Sequence, residues 1–578
     1  MENLARLLAV ARGDEKADLV LKNGKVINIF TGEIQKADVA IAGDVIAGLG
    51  HYGGEEEIDL AGSYVSPGFI ESHFHIESTM LRPSELSRVV VPRGTTCLIA
   101  DPHEIANVSG IAGIEFILAD SEGVPLDLFL MAPSCVPATD FETSGSTVSA
   151  RDIEHLLQHE RVLGLAEVMN YPGVVFGEEA VLRKVRASAG RPIDGHAPLL
   201  TGKHLNAYAA AGIQSDHECT NGEEALEKVR LGIRVMIREG TSAHDMEAIL
   251  PVVTDRNSRR FMLATDDRHA DELLRKGHLD LLLRLAVSRG VDPVEAVRMV
   301  TINPAEHFRL AGRGAVAPGY MADLVVLKNL KQFKVKLVTK SGRIVARDGV
   351  LIAPIKQSTV QHTLLRSIHL KPLSASDLDI RLTGDRDVRV IELREGSLLT
   401  GSSTERVPLD GRKCFIPDAK SDLAALYVLE RHRGTGRVGK GVVRGFGMKE
   451  GAIASSVAHD SHNIICVSMD EKSAVAAVNA LIQAGGGLSC AVKGKTIGTL
   501  DLPVCGLISE RSVDVVTAGL AQLKKAVRRT GCRVGDPFMA LSFLALPVIP
   551  ELKLTDWGLF DVGTFSHVPL EVGEETES

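Results

Sequence analysis

Residues 68–78 read GFIESHFHIES, a short β-type run that places His73 and His75 two positions apart. On a strand, alternate side chains share a face, so both imidazoles point the same way. Taken alone, H-x-H fits two surface histidines as well as it fits a metal pair. The chain that follows changes its weight. After the run at 68–75, short apolar runs recur at 95–101, 126–131, 162–168, 192–196, 213–217, 233–237 and 261–266. Between them, apolar spacing predicts helices over 83–91, 105–121, 150–159, 178–189, 201–210, 222–231 and 242–253, and two more follow at 271–288 and 292–300. Eight β/α units in roughly 240 residues is the arithmetic of a (β/α)8 TIM-like barrel. A doubly wound α/β sheet is the alternative, but no G-x-G-x-x-G follows the first strand.

The flanks differ from the barrel. ADLVLKNGKVINIF (17–30) predicts a hairpin turning at Asn23-Gly24, and ADVAIAGDVIAGLG (37–50) another at Gly43-Asp44. After the barrel, GRGAVAPGYMADLVVL (312–327) and KLVTKSGRIVARDGV (336–350) return to β-type sequence. The expected organisation is a small β domain built from both sides of the barrel (1–66 and 312–352), the barrel itself (67–311), and a C-terminal α/β domain (353–578) that is a candidate active-site cover. The last contains VRVIEL (388–393), a helix near 473–484 and an acidic end, GEETES, read as solvated. Its run GTGRVGKG (434–441) lacks the Lys-Ser/Thr of a P-loop and reads as turns.

Composition sets outer limits. The 578 residues are 45% hydrophobic and 24% charged, which excludes disordered, collagenous and disulfide-framework classes. Aromatics are only 4%, so the core must be aliphatic. The net charge of −9 argues against nucleic acid as a partner, since that needs a cationic face. No apolar run approaches the roughly 18 residues of a transmembrane helix, and no membrane association is expected. The acidic opening MENLARLLAVARGDE predicts no secretory or transit segment. Eight scattered cysteines without a C-x-x-C pair read as reduced thiols of a cytoplasmic protein.

Other candidate metal ligands fall at the ends of the predicted barrel strands. Glu167 closes the fourth run, His196 the fifth, His217 the sixth and Asp266 the eighth. With His73 and His75 they would meet at one barrel mouth, where four imidazoles and two carboxylates can hold two divalent metals with Glu167 as a bridge. Each residue singly also fits a polar loop role. Asp267 should point elsewhere if the eighth strand is regular.

This pattern resembles the amidohydrolase superfamily, and within it the family of bacterial adenine deaminases. The matching stretches are ADLVLKNGKVIN (17–28), SYVSPGFIESHFHIESTM (63–80), GTTCLIADPHEIANV (94–108), GLAEVMNYPGVV (164–175), DGHAP (194–198), SDHE (215–218), PGYMADLVVL (318–327) and VAHDSHNIICV (457–467). They span nearly the whole chain. The resemblance implies that His73, His75 and Asp266 hold one metal, His196 and His217 the other, and Glu167 bridges them. It implies manganese or ferrous iron, with zinc as an alternative. Other superfamily members bridge with a carbamylated lysine. No lysine lies at the fourth strand end here, which argues against the dihydroorotase and hydantoinase branches.

The implied activity is hydrolytic deamination of adenine to hypoxanthine and ammonia, with Asp266, Glu167 and His217 at the reaction centre. Two dications would lower the pKa of water, the resulting hydroxide would attack C6, and Asp266 would pass its proton to the leaving amine. Attack also needs a proton at N1. Mononuclear purine deaminases place a glutamate three residues after the fifth-strand histidine; here that residue is Leu199. His103 and Glu104, or Glu218, are the candidates instead. Arg238 and Glu239 are candidates for contacts to the base or for an ion pair. His459, Asp460 and His462 read as a polar cover over the mouth, with turn structure or an extra metal as alternatives. A homo-oligomer is expected. Two other functions stay open: an amidohydrolase acting on a different amino-heterocycle or cyclic amide, and a barrel without catalysis, which should lack ligands.

Overall fold

The structure, a computed structural model, describes residues 2–573 except 242, 385, 395 and 396. The acidic end beyond 573 and the first residue of the helix expected at 242–253 therefore lie outside the described residues.

The centre is a parallel barrel in two hydrogen-bonded arcs. One arc runs, in order, through Phe69–His75, Thr95–Ala100, Asp127–Ala132, Val162–Val168 and Ile193–Gly195. The other comprises Ser215–Asp216, Arg234–Arg238 and Phe261–Ala264. The arcs meet at one seam through the Gln214 N–H, which donates to the Ile193 carbonyl at 2.9 Å. At the other seam a short continuation of the eighth strand, Asp266–Asp267, pairs with Phe74 and His75. Every residue of the first strand is buried, because its inner face meets the barrel core and its outer face the helices. Ile70, Cys97, Ile99, Met131, Met236 and Met262 are among the side chains that fill the barrel interior.

The helices follow the expected order, with breaks that have local causes. The stretch expected as one helix at 105–121 divides into His103–Ser109 and Ile111–Asp120 at Gly110, whose φ is +59°. The stretch at 271–288 divides into Ala270–Arg275 and Leu279–Ser288 around Gly277, φ +116°. Among the described residues, the expected 242–253 helix shrinks to Met246–Ile249 and a 3-10 turn, Leu250–Val252. An unexpected helix, Tyr171–Phe176, follows the fourth strand and is capped by the Asn170 side chain, which accepts from the Gly173 N–H at 2.8 Å.

Strands from both sides of the barrel share one sheet, in which Tyr64–Pro67 pairs antiparallel with Leu324–Leu327. The predicted turn at Asn23-Gly24 is not a hairpin. Ala17–Asn28 is one strand, and Asn23 (φ +56°) is a bulge that shifts the register against Glu33–Ala42. The dipeptide supplies the positive φ, but the chain passes straight on because both flanking runs pair with the same neighbour. The turn at Gly43-Asp44 does form a hairpin.

The C-terminal residues build an eight-stranded sheet with the helices Glu471–Ala484 and Val513–Arg528. The glycine-rich run is not all turns: Val438–Arg444 is a strand of this sheet. A Cβ on Gly439 would lie 1.8 Å from the Thr555 carbonyl oxygen, so the glycine lets the Leu552–Thr555 strand cross in direct contact. This unit sits on the barrel mouth. Ser509 N–H donates to the Met80 carbonyl at 2.9 Å, Asn463 to the Thr143 carbonyl at 2.8 Å, and the Thr143 N–H to Asp556 at 2.8 Å. Asp536 lies 3.1 Å from His269 of the barrel and 2.8 Å from Lys524.

Burial alone would raise the Asp536 carboxyl, but His269 and Lys524 outweigh it and hold the group far below its usual range. Its contribution to stability is therefore complete above the unfolded value of about 3.9 and is lost as pH falls through the lower folded value. Asp536→Asn should cost about 1–3 kcal/mol at pH 7, with the gap to the parent protein closing in strong acid. An unchanged Tm at pH 7 in calorimetry would remove Asp536 as an anchor between the two units.

Candidate active site and metal centre

The first and eighth strands are locked at the level of the histidines by Glu71, a charged residue in a wholly buried strand. Its carboxylate accepts from the Ser72 N–H at 3.0 Å, the His73 N–H at 3.3 Å and the Thr265 N–H at 3.2 Å, and from the Thr265 hydroxyl at 2.8 Å. Just beyond, Asp266 takes a left-handed φ of +55°, which turns its side chain into the mouth. The irregularity also brings Asp267 to the cavity edge, where it accepts from the Ser78 hydroxyl. The expectation that Asp267 points elsewhere assumed a regular strand, and the strand is not regular there.

A second lock holds the fifth and sixth strand ends. Lys228, fully buried, donates to Glu224 at 2.9 Å and to the Ala197 carbonyl at 2.8 Å, and lies 3.0 Å from Asp216. Asp216 accepts from the Ala197 and Glu218 N–H groups, at 2.9 and 2.8 Å. His196 and His217 are thereby fixed from behind.

All six expected ligand side chains meet, and all are buried. The Nε2 atoms of His73 and His75 are 3.1 Å apart, and Asp266 Oδ1 lies 3.6 and 3.2 Å from them. Glu167 turns Oε1 toward this pair, 3.4 Å from His75, and Oε2 toward the other pair, 2.5 Å from His196 Nδ1 and 3.2 Å from His217 Nε2. His75 Nδ1 lies 3.1 Å from the Asp101 carbonyl. That contact fixes the ring tautomer and aims the Nε2 lone pair at the cluster, as metal-binding imidazoles require. Burial alone would raise the Glu167 carboxyl, but His217 and His196 outweigh it and hold it well below the usual range. Burial is outweighed at Asp266 too, by His75 and Arg238. Facing imidazole nitrogens with ionised carboxylates between them, shut away from water, are a donor set that fits divalent cations.

The remaining candidates divide. His103 Nδ1 stands 3.1 Å from Asp101 and 3.5 Å from Glu167, and its Nε2 is 3.6 Å from Asp460. Glu104 is fully buried under Ser78, His459 and His462, and burial, reinforced by Glu77 and Asp267, pushes its carboxyl well up. Glu218 is paired by both oxygens to Arg238, which also reaches Asp266 at 3.1 Å and Asp245 at 3.0 Å. Glu239 does not face the cavity; it pairs with the half-exposed His244 at 2.9 Å. Leu199 is solvent-exposed and also lies away from the site. His459 and Asp460 line the cavity, while His462 sits behind Glu104. The Ala458 N–H donates to His462 Nδ1 at 3.1 Å, which leaves the proton on Nε2 facing Glu104. A nitrogen carrying a proton has no lone pair for a cation, so this tautomer favours a polar cover over an extra metal, although Glu104, His459 and His462 lie close enough together to hold one. Glu71, Asp101 and Lys228 were not anticipated. A Glu beside H-x-H was the visible clue for the first; Asp101 meets both the adjacent His103 and the distant His75, and Lys228 ties Glu224 to Ala197 and Asp216 further back in the sequence.

The barrel and its ligand-bearing mouth define a metal-dependent hydrolase of the amidohydrolase class, and the profile of the amidohydrolase family matches residues 64–345. The profile of the adenine deaminase C-terminal domain matches residues 397–566. An adenine deaminase of Dehalococcoides mccartyi is 46% identical over 571 residues, covering 98% of this chain and 99% of that protein. Adenine deaminase 2 of Carboxydothermus hydrogenoformans is 46% identical over 576 residues, covering 99% and 100%. A solved D-aminoacylase is similar over 58% of this chain and 98% of its own, at 15% identity and a TM-score of 0.44. The chain belongs to the adenine deaminase family. Membership implies a divalent metal centre.

Arg238 neutralises three carboxylates at once, the buried Glu218 and Asp266 and the half-buried Asp245. Arg238→Met should therefore cost about 3–5 kcal/mol at pH 8. Part of this should return as pH falls, because the stranded acids can then protonate. Thermal unfolding across pH measures both effects; a pH-independent loss below about 1 kcal/mol would contradict the role.

Proposed function

We propose that the protein converts adenine and water to hypoxanthine and ammonia, with His73, His75 and Asp266 holding one divalent cation, His196 and His217 a second, and Glu167 shared between them. The observation that carries this reading is the division of the Glu167 oxygens, one toward each imidazole pair. Such cations supply Lewis-acid charge that lets water ionise near neutral pH. Manganese or ferrous iron is the proposed metal, with zinc as the alternative, since imidazole–carboxylate sites accept all three.

The chain's own groups move the protons. Asp266, ionised and beside His75, accepts the proton of the attacking water and delivers it to the exocyclic amine, so that ammonia leaves. Glu218 has both carboxylate oxygens engaged by Arg238. Glu104 lines the cavity and burial favours its proton-bearing form; it is the group we assign to protonate N1, and it recovers a proton from the C6 hydroxyl as the carbonyl forms. His103, between Asp101 and Asp460, orients the reactants beside Glu167. The proposed domain limits remain 1–66 with 312–352, 67–311 and 353–578. We also propose a homo-oligomer and a cytoplasmic location, the latter because Cys97, Cys135, Cys219, Cys414, Cys466, Cys490 and Cys505 are buried thiols. Among the described residues, no helix is long and apolar enough to cross a membrane.

The test is steady-state ammonia release from adenine together with elemental analysis of the same sample. We expect turnover with two metals per chain and loss of both after chelation; a fully loaded sample inert to adenine would overturn the reading. Glu167→Gln should lower metal content and activity together. Asp266→Asn should keep the fold while kcat falls by roughly 10²-fold or more. Normal turnover in that variant would assign the proton transfer elsewhere.

A further inference from the structure

The cavity over the six-residue cluster has two unlike walls. Apart from Met169, the barrel side is polar, with Glu104, Glu167, His217, Glu218, Arg238 and Asp266 among its residues. The opposite side comes from the C-terminal unit and, apart from His459 and Asp460, is apolar: Leu398, Phe543, Leu546 and Ile549. Phe543, Leu546 and Ile549 are buried, yet they face charged groups across the gap. A hydrophobic surface turned toward buried carboxylates gains nothing from them. It is complementary to a flat heteroaromatic ring, whose faces are apolar and whose edge is polar.

We propose that this C-terminal wall is half of the base-binding pocket: Phe543, Leu546, Ile549 and Leu398 take the face of the planar base while barrel side chains take its edge. The proposal rests on the adenine reading above. Three observations support it. First, the Phe543 ring is stacked on His459, with centroids 4.4 Å apart and an interplanar angle of 9°, so a rigid aromatic slab forms next to the polar cover. Second, Phe543, Leu546 and Ile549 belong to one apolar cluster with Met539, and Leu398 packs against it, so the wall is continuous. Third, the wall is tethered. The fully buried ammonium of Lys553 donates to the carbonyls of Leu398 and Phe543, at 3.1 Å each, and so ties two distant segments into one surface. Lys553 is thus a positioning residue for the wall.

The test uses the metal-loaded full-length enzyme and three variants, Phe543→Ala, Phe543→Leu and Leu546→Ala. Each is assayed for metal content, Tm, and kcat and KM on adenine and on the single-ring 4-aminopyrimidine. Loss of base–aromatic stacking should raise KM for adenine roughly 10- to 100-fold in Phe543→Ala, with metal content unchanged and kcat affected less. Phe543→Leu should recover part of the loss. Discrimination between adenine and 4-aminopyrimidine should narrow, because the second ring has lost its contact. KM values within twofold of the parent in all well-folded, metal-replete variants would overturn the proposal, even if Phe543→Ala alone failed to fold. A loaded parent enzyme inert to adenine would instead defeat the underlying functional reading, and this proposal with it.

Discussion

Two pairs of imidazoles share one buried carboxylate, and that sharing constrains everything around it. Glu167 must sit where one oxygen meets His75 and the other meets His196 and His217. A displacement of about an ångström would break one set of contacts. The barrel satisfies this by placing the residue at the end of a central strand and bracing its neighbours from behind. Glu71 stitches the first strand to the eighth, and Lys228 with Asp216 fixes the fifth and sixth strand ends. These braces are themselves buried charges, and each is matched by several hydrogen bonds. A polar network of this kind holds one geometry because every partly paired alternative is costly.

The site is also dry. The C-terminal unit covers the barrel mouth, so the interactions among carboxylates, imidazoles and Arg238 act in a low-dielectric setting where each is stronger than in water. This burial separates the acids by role. His75 and Arg238 keep Asp266 ionised, whereas burial, reinforced by neighbouring acids, favours the neutral form of Glu104. Carboxyls lining one cavity are thereby driven to opposite protonation states, the arrangement that acid–base chemistry on a purine ring needs.

The barrel was readable because its pattern is local. Eight apolar runs separated by helical spacing leave a regular trace, and ligands at strand ends can be placed by counting. Two of the mistaken readings share one cause. Asn23-Gly24 has the dihedral preference of a hairpin turn, but it serves a bulge because Ala17–Asn28 pairs throughout with one neighbour. The glycines at 439 and 441 look like turn formers, but they lie in a strand that another strand crosses closely. In both cases the residue's local preference was correct, and a partner distant in sequence decided its use.

The sequence by itself determined a candidate ligand set and its host: six groups of metal-binding chemistry at the ends of barrel strands, together with a family resemblance along the chain. Residue type and alternation suffice for that, because strand periodicity dictates which side chains share a face. Only the tertiary structure decided that Glu239 turns away, that Asp267 joins the cavity edge, and that Glu218 is bound to Arg238 while Glu104 is not. It alone brought Phe543 and Leu546 within reach of Glu167, nearly four hundred residues earlier. Such pairings arise when separate units pack against each other, and no periodicity along the chain encodes them.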